Sequence, residues 1–307
     1  MSNPRVSVII PTYKRSWHYL GRAVQSILNQ TFSDFEVIVI DDSPDTFSER
    51  ENIKENMQAL SEKDNRVRYL VNEKNMGGSL SRNRGIDCAL GEYITFLDDD
   101  DEYLPEKLLH QVEFMDKEGC DLSFENMVMY NSKDVVVDVR EYNDLKSTDN
   151  EYLLKYHLMR HMTGTPTFMF RGDKLKQIGG FTDAKMGQEF LLMLKAIENG
   201  LSIRYFPVND IKVYKHADGG ITQGRNKIDG ENALYRHKKQ YFEKLSLRQR
   251  MFIRFRHYAV MVVAYLRNKM YIRAAIAAVC AFFVSPVDFF SQVTGFFARV
   301  IKSRKGR

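Results

Sequence analysis

Residues 96–105 read FLDDDDEYLP, so four aspartates, Asp98 to Asp101, stand directly behind the apolar stretch Tyr93–Leu97. Carboxylates packed at one strand end repel one another, and some are forced to keep their protons unless a cation compensates. A divalent ion is the natural cation. Magnesium or manganese, held by one or two carboxylates and completed by water and diphosphate oxygens, calls for acids at this density and for an open coordination sphere. Asp98, Asp99 and Asp100 are read as the group with chemistry. Asp101 and Glu102 are read as a solvated loop and cap belonging to the helix after Pro105.

Other polar stretches are weaker signals alone. Asp41-Asp42-Ser43 closes another apolar run, and Asp-Asp-Ser is also ordinary turn chemistry. The segment NMGGSLSRNRGI, residues 75–86, lacks both GxGxxG and the GK[ST] ending of a phosphate loop. Arg82 and Arg84 open a helix there, where a surface ion pair is the default.

The elements that must position these groups follow from periodicity. Val6–Ile10 and Phe35–Ile40 are near-continuous apolar runs, and Trp17–Gln30 between them places Leu20, Ala23, Val24, Ile27 and Leu28 at helical spacing. Strands apolar on both faces imply a parallel sheet covered on both sides. A helix at 50–60, a strand at Val67–Leu70, a helix at 79–89 and a strand at Tyr93–Leu97 complete a βαβαβαβ series. In such a sheet ligands bind beyond the carboxyl ends of the strands. Those ends are occupied by Pro11–Arg15, Asp41–Ser43, Asn72–Gly78 and Asp98–Asp101. Further on, strands are expected at 122–124, 135–137 and 167–170, and helices at 152–161 and 190–198.

Four motifs in order, VSVIIPTYKR (6–15), QTFSDFEVIVIDDSP (30–44), SRNRGID with GEYITFLDDDDEYLP (81–105) and GGFTDAKMGQEF (179–190), resemble glycosyltransferase family 2. The resemblance covers about residues 4–225 and implies the GT-A fold: α/β, a Rossmann-like open and mostly parallel sheet flanked by helices. Here a C-terminal helical extension is added. It implies a nucleoside diphosphate sugar, most often a UDP-sugar, as donor, a divalent metal (Mn2+ or Mg2+) and transfer with inversion. Pro11 and Tyr13 would flank the base, Asp42 would accept from it, and Arg82 would lie near base or diphosphate. Asp98-Asp99-Asp100 matches the DXD motif, with Asp100 as direct metal ligand and Asp98 or Asp99 toward ribose and metal water.

Inversion needs a general base opposite the leaving diphosphate. The family places an acidic pair such as Glu-Asp at a helix start after a GGF turn; this chain has Gln188-Glu189. Glu189 therefore takes the base position and Gln188 departs from the pattern, with Asp183 as the fallback. An acid at a helix start is also favoured by the dipole alone. His216 falls where relatives carry a His that ligates metal or donates to phosphate; Lys215 and Arg225 are further diphosphate candidates. Residues 1–105 are read as the donor-binding half, 106–234 as the acceptor-binding half and 235–307 as a basic, membrane-associating region. The competing readings are a nucleotide or metal-binding module without transfer activity, and a nucleotidyltransferase, which would want a basic Gly-rich loop in place of IIPTYKR.

The net charge of +5 conceals an asymmetry: residues 236–307 hold 16 Lys and Arg against two acids, Glu243 and Asp288, while the rest is acidic. The bases alternate with Phe, Val, Met and Ala at helical spacing, which argues against nucleic acid and for an anionic membrane surface. Ala274–Val287 has 14 residues almost without polar groups, too short to span a bilayer, so an interfacial helix is expected. Packing on a second subunit is the alternative. Cys88, Cys120 and Cys280 are scattered and odd in number, suggesting neither a disulfide framework nor zinc. The N-terminus enters a strand pattern without the features of a secretory signal. The expected setting is cytoplasmic, at the inner face of the cell membrane, with a glycan or lipid-linked acceptor in surface-polysaccharide assembly.

Overall fold

The computed structural model describes residues 3–162, 164–184, 186–215 and 225–292. The chain divides into two compact units. The first comprises Met1–Leu154, Met162–Ala184 and Gln188–Ala217, and the second Lys155–His161, Lys185–Gly187 and Asp218–Arg307.

The first unit opens as the periodicity predicts: β1 (Val6–Thr12), α1 (Trp17–Leu28), β2 (Phe35–Asp41), α2 (Arg50–Lys63), β3 (Val67–Val71), α3 (Gly78–Cys88) and β4 (Tyr93–Phe96). Then come β5 (Glu102–Tyr103), α4 (Lys107–Glu118), β6 (Leu122–Glu125), β7 (Met127–Tyr130), β8 (Val136–Arg140), α5 (Asn150–Arg160), β9 (Phe168–Arg171), α6 (Gly172–Gln177), α7 (Gln188–Glu198), β10 (Ile203–Phe206) and β11 (Ile211–Tyr214).

Seven strands form one sheet in the order β10-β6-β9-β4-β1-β2-β3. β1 pairs in parallel with both β2 and β4, and β9 alone runs antiparallel to its neighbours. β2 is buried along its whole length, as expected of a strand covered on both faces. Leu20, Ala23, Val24 and Ile27 of α1 bury their side chains in the same core as Val8, Ile10, Val37 and Val39. α3 lies so close to β1 that a Cβ on Gly85 would stand 2.5 Å from Ile9 Cγ2.

Beside this sheet stands a four-stranded one, β5-β11-β7-β8, of which the sequence pattern announces β8 alone, expected at 135–137. It corrects one expectation. Asp101 and Glu102 do not cap the next helix: Glu102 is in β5, paired with Lys212 of β11, and α4 starts at Lys107 with Glu106 at its cap position. Asp101 is 3% exposed and its carboxylate accepts the Tyr214 backbone N–H at 2.8 Å. On β6, Glu125 is fully buried, and neither carboxyl oxygen has a hydrogen-bond partner among the described residues. Burial pushes this carboxyl up to about 8, with Lys107 opposing and Asp210 adding to the effect.

The second unit is helical: α5 from Lys155 on, α8 (Arg225–Lys239), α9 (Leu247–Arg267) and α10 (Tyr271–Val284). Ser246 caps α9 with a reciprocal capping box to Gln249, and Ile228, Met261, Ala264 and Ala277 share a small core. α10 ends before Pro286, which cannot continue the ladder. Among the described residues no single helix is long and apolar enough to cross a membrane; Tyr271–Val284 and Pro286–Gln292 reach that length only together, bent by 120°.

Candidate active site

Strand order reverses at β1, whose neighbours are β2 on one side and β4 on the other. Because all three run parallel, their carboxyl ends open one crevice, the place where open α/β sheets bind ligands. Thr12, ending β1, pairs with Asp41, ending β2, and Asp98 follows two residues after β4.

The acidic run divides by direction. Asp98 and Asp100 keep side-chain exposures of 35% and 16%, whereas Asp99 and Asp101 are buried. Asp99 accepts Thr12 Oγ1–H at 2.7 Å and Arg15 Nε–H at 3.0 Å, and Arg15 also pairs with Asp100 at 2.9 Å. Burial pushes the Asp99 carboxyl up to about 6, with Arg15 opposing and Asp100 and Asp98 adding. Burial likewise holds Asp101 well above the usual carboxylate range, helped by Asp98 and Asp100 and opposed by the Tyr214 N–H. Arg22 donates to the Asp100 carbonyl at 2.6 Å, pairs with Glu102 at 3.1 Å and stacks its guanidinium 4.1 Å from the Tyr214 ring centre.

Arg82, on α3, joins this run to the start of α7. One nitrogen donates to Asp98 and the other to Gln188 Oε1 at 3.1 Å, while the Phe181 ring lies 5.5 Å away. It is 9% exposed, so it is no surface ion pair. Its neighbour Asn83 fixes the GGF turn, donating to the Phe181 carbonyl and accepting the Phe181 N–H, each at 2.8 Å. Gly180 permits this approach: its φ is +53°, and a Cβ would stand 2.5 Å from Asn83 Oδ1. Glu189 follows Gln188 in the first turn of α7 and is partly buried, while Asp183 is exposed in the preceding loop.

Asp42 is buried and accepts from Met76 N and Gly77 N at 2.7 Å, and from Asn72 Nδ2 at 2.7 Å. It thus shapes the loop that leads into α3. Asp41 accepts the Ser43 N–H and the Tyr69 hydroxyl. The β1–α1 loop is tied to the same turn through Lys14 N–H to Ser43 Oγ at 2.9 Å. Within that loop Pro11 is partly buried, and Tyr13 is 45% exposed with the Lys14 ammonium 5.4 Å from its ring centre.

The fold therefore joins Asp98 and Gln188 through Arg82 and, next to them, Asp99 and Asp100 through Arg15, with Asp42 shaping the loop that enters α3. Lys215 pairs instead with Asp138 on β8 at 3.3 Å. His216 and the Arg225 side chain lie outside the described residues. Arg15, Thr12 and Arg22 were missed as site residues; the cationic, hydroxylated TYKR at the end of β1 was the signal that could have found Thr12 and Arg15.

Residues 7–178 match the family model for glycosyl transferase family 2. The chain belongs to glycosyltransferase family 2. Among relatives of this glycosyltransferase, WcaA of Escherichia coli K12, named as a candidate glycosyl transferase of colanic acid biosynthesis, is 28% identical over 82% of this chain and 87% of that one. A Campylobacter jejuni enzyme named GalNAc(5)-diNAcBac-PP-undecaprenol beta-1,3-glucosyltransferase is 42% identical over 33% of this chain and 31% of its own. The crystal structure of Staphylococcus aureus TarS 1-349 in complex with UDP-GlcNAc superposes with a TM-score of 0.61 at 20% identity, covering 91% of each chain. The glycosyltransferase thus has the GT-A fold that its sheet order indicates.

Proposed function

We propose that this glycosyltransferase moves a sugar from a UDP-sugar to a hydroxyl of a glycan or lipid-linked glycan, with inversion, in surface-polysaccharide assembly. The observation that carries the reading is the Arg82 bridge, which holds the exposed acid Asp98 at the switch-point crevice and the first turn of α7 beside the same guanidinium. The UDP donor is supported by the donor complex of TarS, and the lipid-linked acceptor by the undecaprenol-linked substrate in the name of the Campylobacter relative.

Among the described residues no group of three Asp, Glu, His or Cys side chains is placed to hold a metal ion, so a divalent ion here would draw on two carboxylates, with diphosphate and water completing its shell. Asp98 and Asp100, partly exposed and paired with Arg82 and Arg15, offer hard carboxylate oxygens of the kind magnesium and manganese take. They would hold the ion. When bound, it offsets charge on the departing diphosphate. Asp99, turned inward, fixes Thr12 and Arg15 rather than facing the crevice, and Arg15 and Arg82 add fixed positive charge along its edge. Pro11 and Tyr13 flank the base, and the loop held by Asp42 closes its other side.

Glu189 takes the proton of the acceptor hydroxyl as that oxygen forms its bond to the anomeric carbon. The bond from that carbon to the diphosphate oxygen breaks and its electron pair leaves with the nucleoside diphosphate. Residues 1–105 serve the donor, 106–234 the acceptor, and 235–307 attach the enzyme peripherally to the inner face of the membrane.

The test is UDP release from a panel of UDP-sugars by the purified chain with manganese. Asp100→Ala is expected to abolish it. Glu189→Gln is expected to lower kcat by about 100-fold or more, the usual contribution of a positioned general base. Full turnover in Glu189→Gln removes Glu189 from the mechanism and turns the search to Asp183.

A further inference from the structure

α10 is built inside out. The face it buries carries alanines: Ala274, Ala277 and Ala281 are 3%, 5% and 1% exposed. Its opposite face carries the large side chains, with Ile272 at 79%, Ile276 at 59%, Val279 at 54% and Phe283 at 76% exposed. The spacings of four, three and four residues put these on one stripe. Helices normally bury their large apolar residues and expose the small or polar ones. A contiguous apolar stripe turned to solvent marks an interaction surface, and Leu266 on α9, 49% exposed, and Val287 beyond the break, 78% exposed, present further apolar surface near its two ends in sequence.

Charge selects the occupant. Arg267, Lys269 and Arg273 cluster where α9 passes into α10, and residues 236–307 as a whole hold 16 bases against two acids. A second copy would bring the same excess of positive charge to the contact. An anionic lipid surface brings the opposite charge together with an apolar layer beneath it. Fourteen residues of helix measure about 21 Å at 1.5 Å each, short of the roughly 30 Å hydrocarbon layer, so the stripe is suited to lying in the plane of the interface.

We propose that the outer face of α10, Ile272, Ile276, Val279 and Phe283, seats in an anionic bilayer surface with Arg267, Lys269 and Arg273 at the headgroups. This rests on the peripheral attachment read above and names the surface that makes it. In this arrangement the alanine face serves close packing within the helical unit, and the large side chains supply the lipid contact.

The experiment is co-sedimentation of the full chain with vesicles of phosphatidylglycerol and phosphatidylcholine in equal parts, and with phosphatidylcholine alone. Ile276→Asp/Phe283→Asp and the milder Ile276→Ser/Phe283→Ser are compared with the unaltered chain, with circular dichroism and UDP-sugar turnover in solution as controls for folding. The unaltered chain is expected to bind the anionic vesicles, and both variants to bind about tenfold more weakly or worse, because the lost contact is apolar burial. If the variants bind as the unaltered chain does, the α10 seat is wrong and peripheral attachment through other basic residues stands. If the unaltered chain stays in the supernatant, both readings fall. A dimer in light scattering that the variants dissolve, without vesicle binding, assigns the face to a second copy and overturns the proposal.

Discussion

Arg82 and Gln188, 106 positions apart in the chain, are joined by a 3.1 Å hydrogen bond, and the same guanidinium reaches Asp98. A planar fork can serve an acid and an amide at once, which a lysine ammonium on a flexible stem does not reproduce. Arg82→Lys is therefore expected to keep the local charge and still lose about tenfold or more in kcat/KM for the donor, measured by UDP release. Activity within twofold of the unaltered enzyme would show that charge alone suffices at this position.

Asp42 gives a second prediction, because it accepts from two backbone N–H groups and an amide of the loop entering α3. Asp42→Ala leaves those donors without their acceptor and is expected to cost about 2 kcal/mol of stability as well as donor affinity. Urea denaturation checks it. An unchanged midpoint with donor binding lost would limit Asp42 to ligand contact.

Glu125 makes stability depend on pH. Its carboxyl titrates near 4.5 in the unfolded chain and at about 8 when buried, so the folded state holds its proton more tightly. The stability from that proton is full below about pH 4.5 and is lost as pH rises toward about 8, at up to about 1.4 kcal/mol per unit. Glu125→Gln removes this slope. Urea midpoints at about pH 5 and about pH 8 should show the variant gaining on the unaltered chain at the higher pH; a constant difference would place the titration elsewhere.

Much of this architecture is legible in the sequence. The βαβ series was readable because strands buried on both faces leave near-continuous apolar runs and the helices between them keep an apolar stripe. Of the second sheet only β8 was, because β5, β7 and β11 have two to four residues, too few to show a period, and their pairing is set by partners far away in the chain. The same distance explains Asp101. Four identical residues after a strand carry no sign of which way each faces, and the Tyr214 N–H that receives Asp101 lies 113 positions downstream. Arg82 was legible by motif, but its second partner was not, since the contact depends on where the GGF turn is fastened.

That fastening has a consequence for recombination. Consecutive residues of α3 hold the two sides of the crevice, Arg82 the acidic run and Asn83 the GGF turn, so one helix acts as the gauge block between them. A chimera that keeps residues 1–105 and takes residues 106–234 from a relative would stay in alignment only where the incoming turn offers Asn83 both an N–H and a carbonyl, with a left-handed glycine in front. If residues 106–234 serve the acceptor, as proposed above, acceptor specificity would be exchanged as a module, while the spacing across the crevice would be inherited from α3.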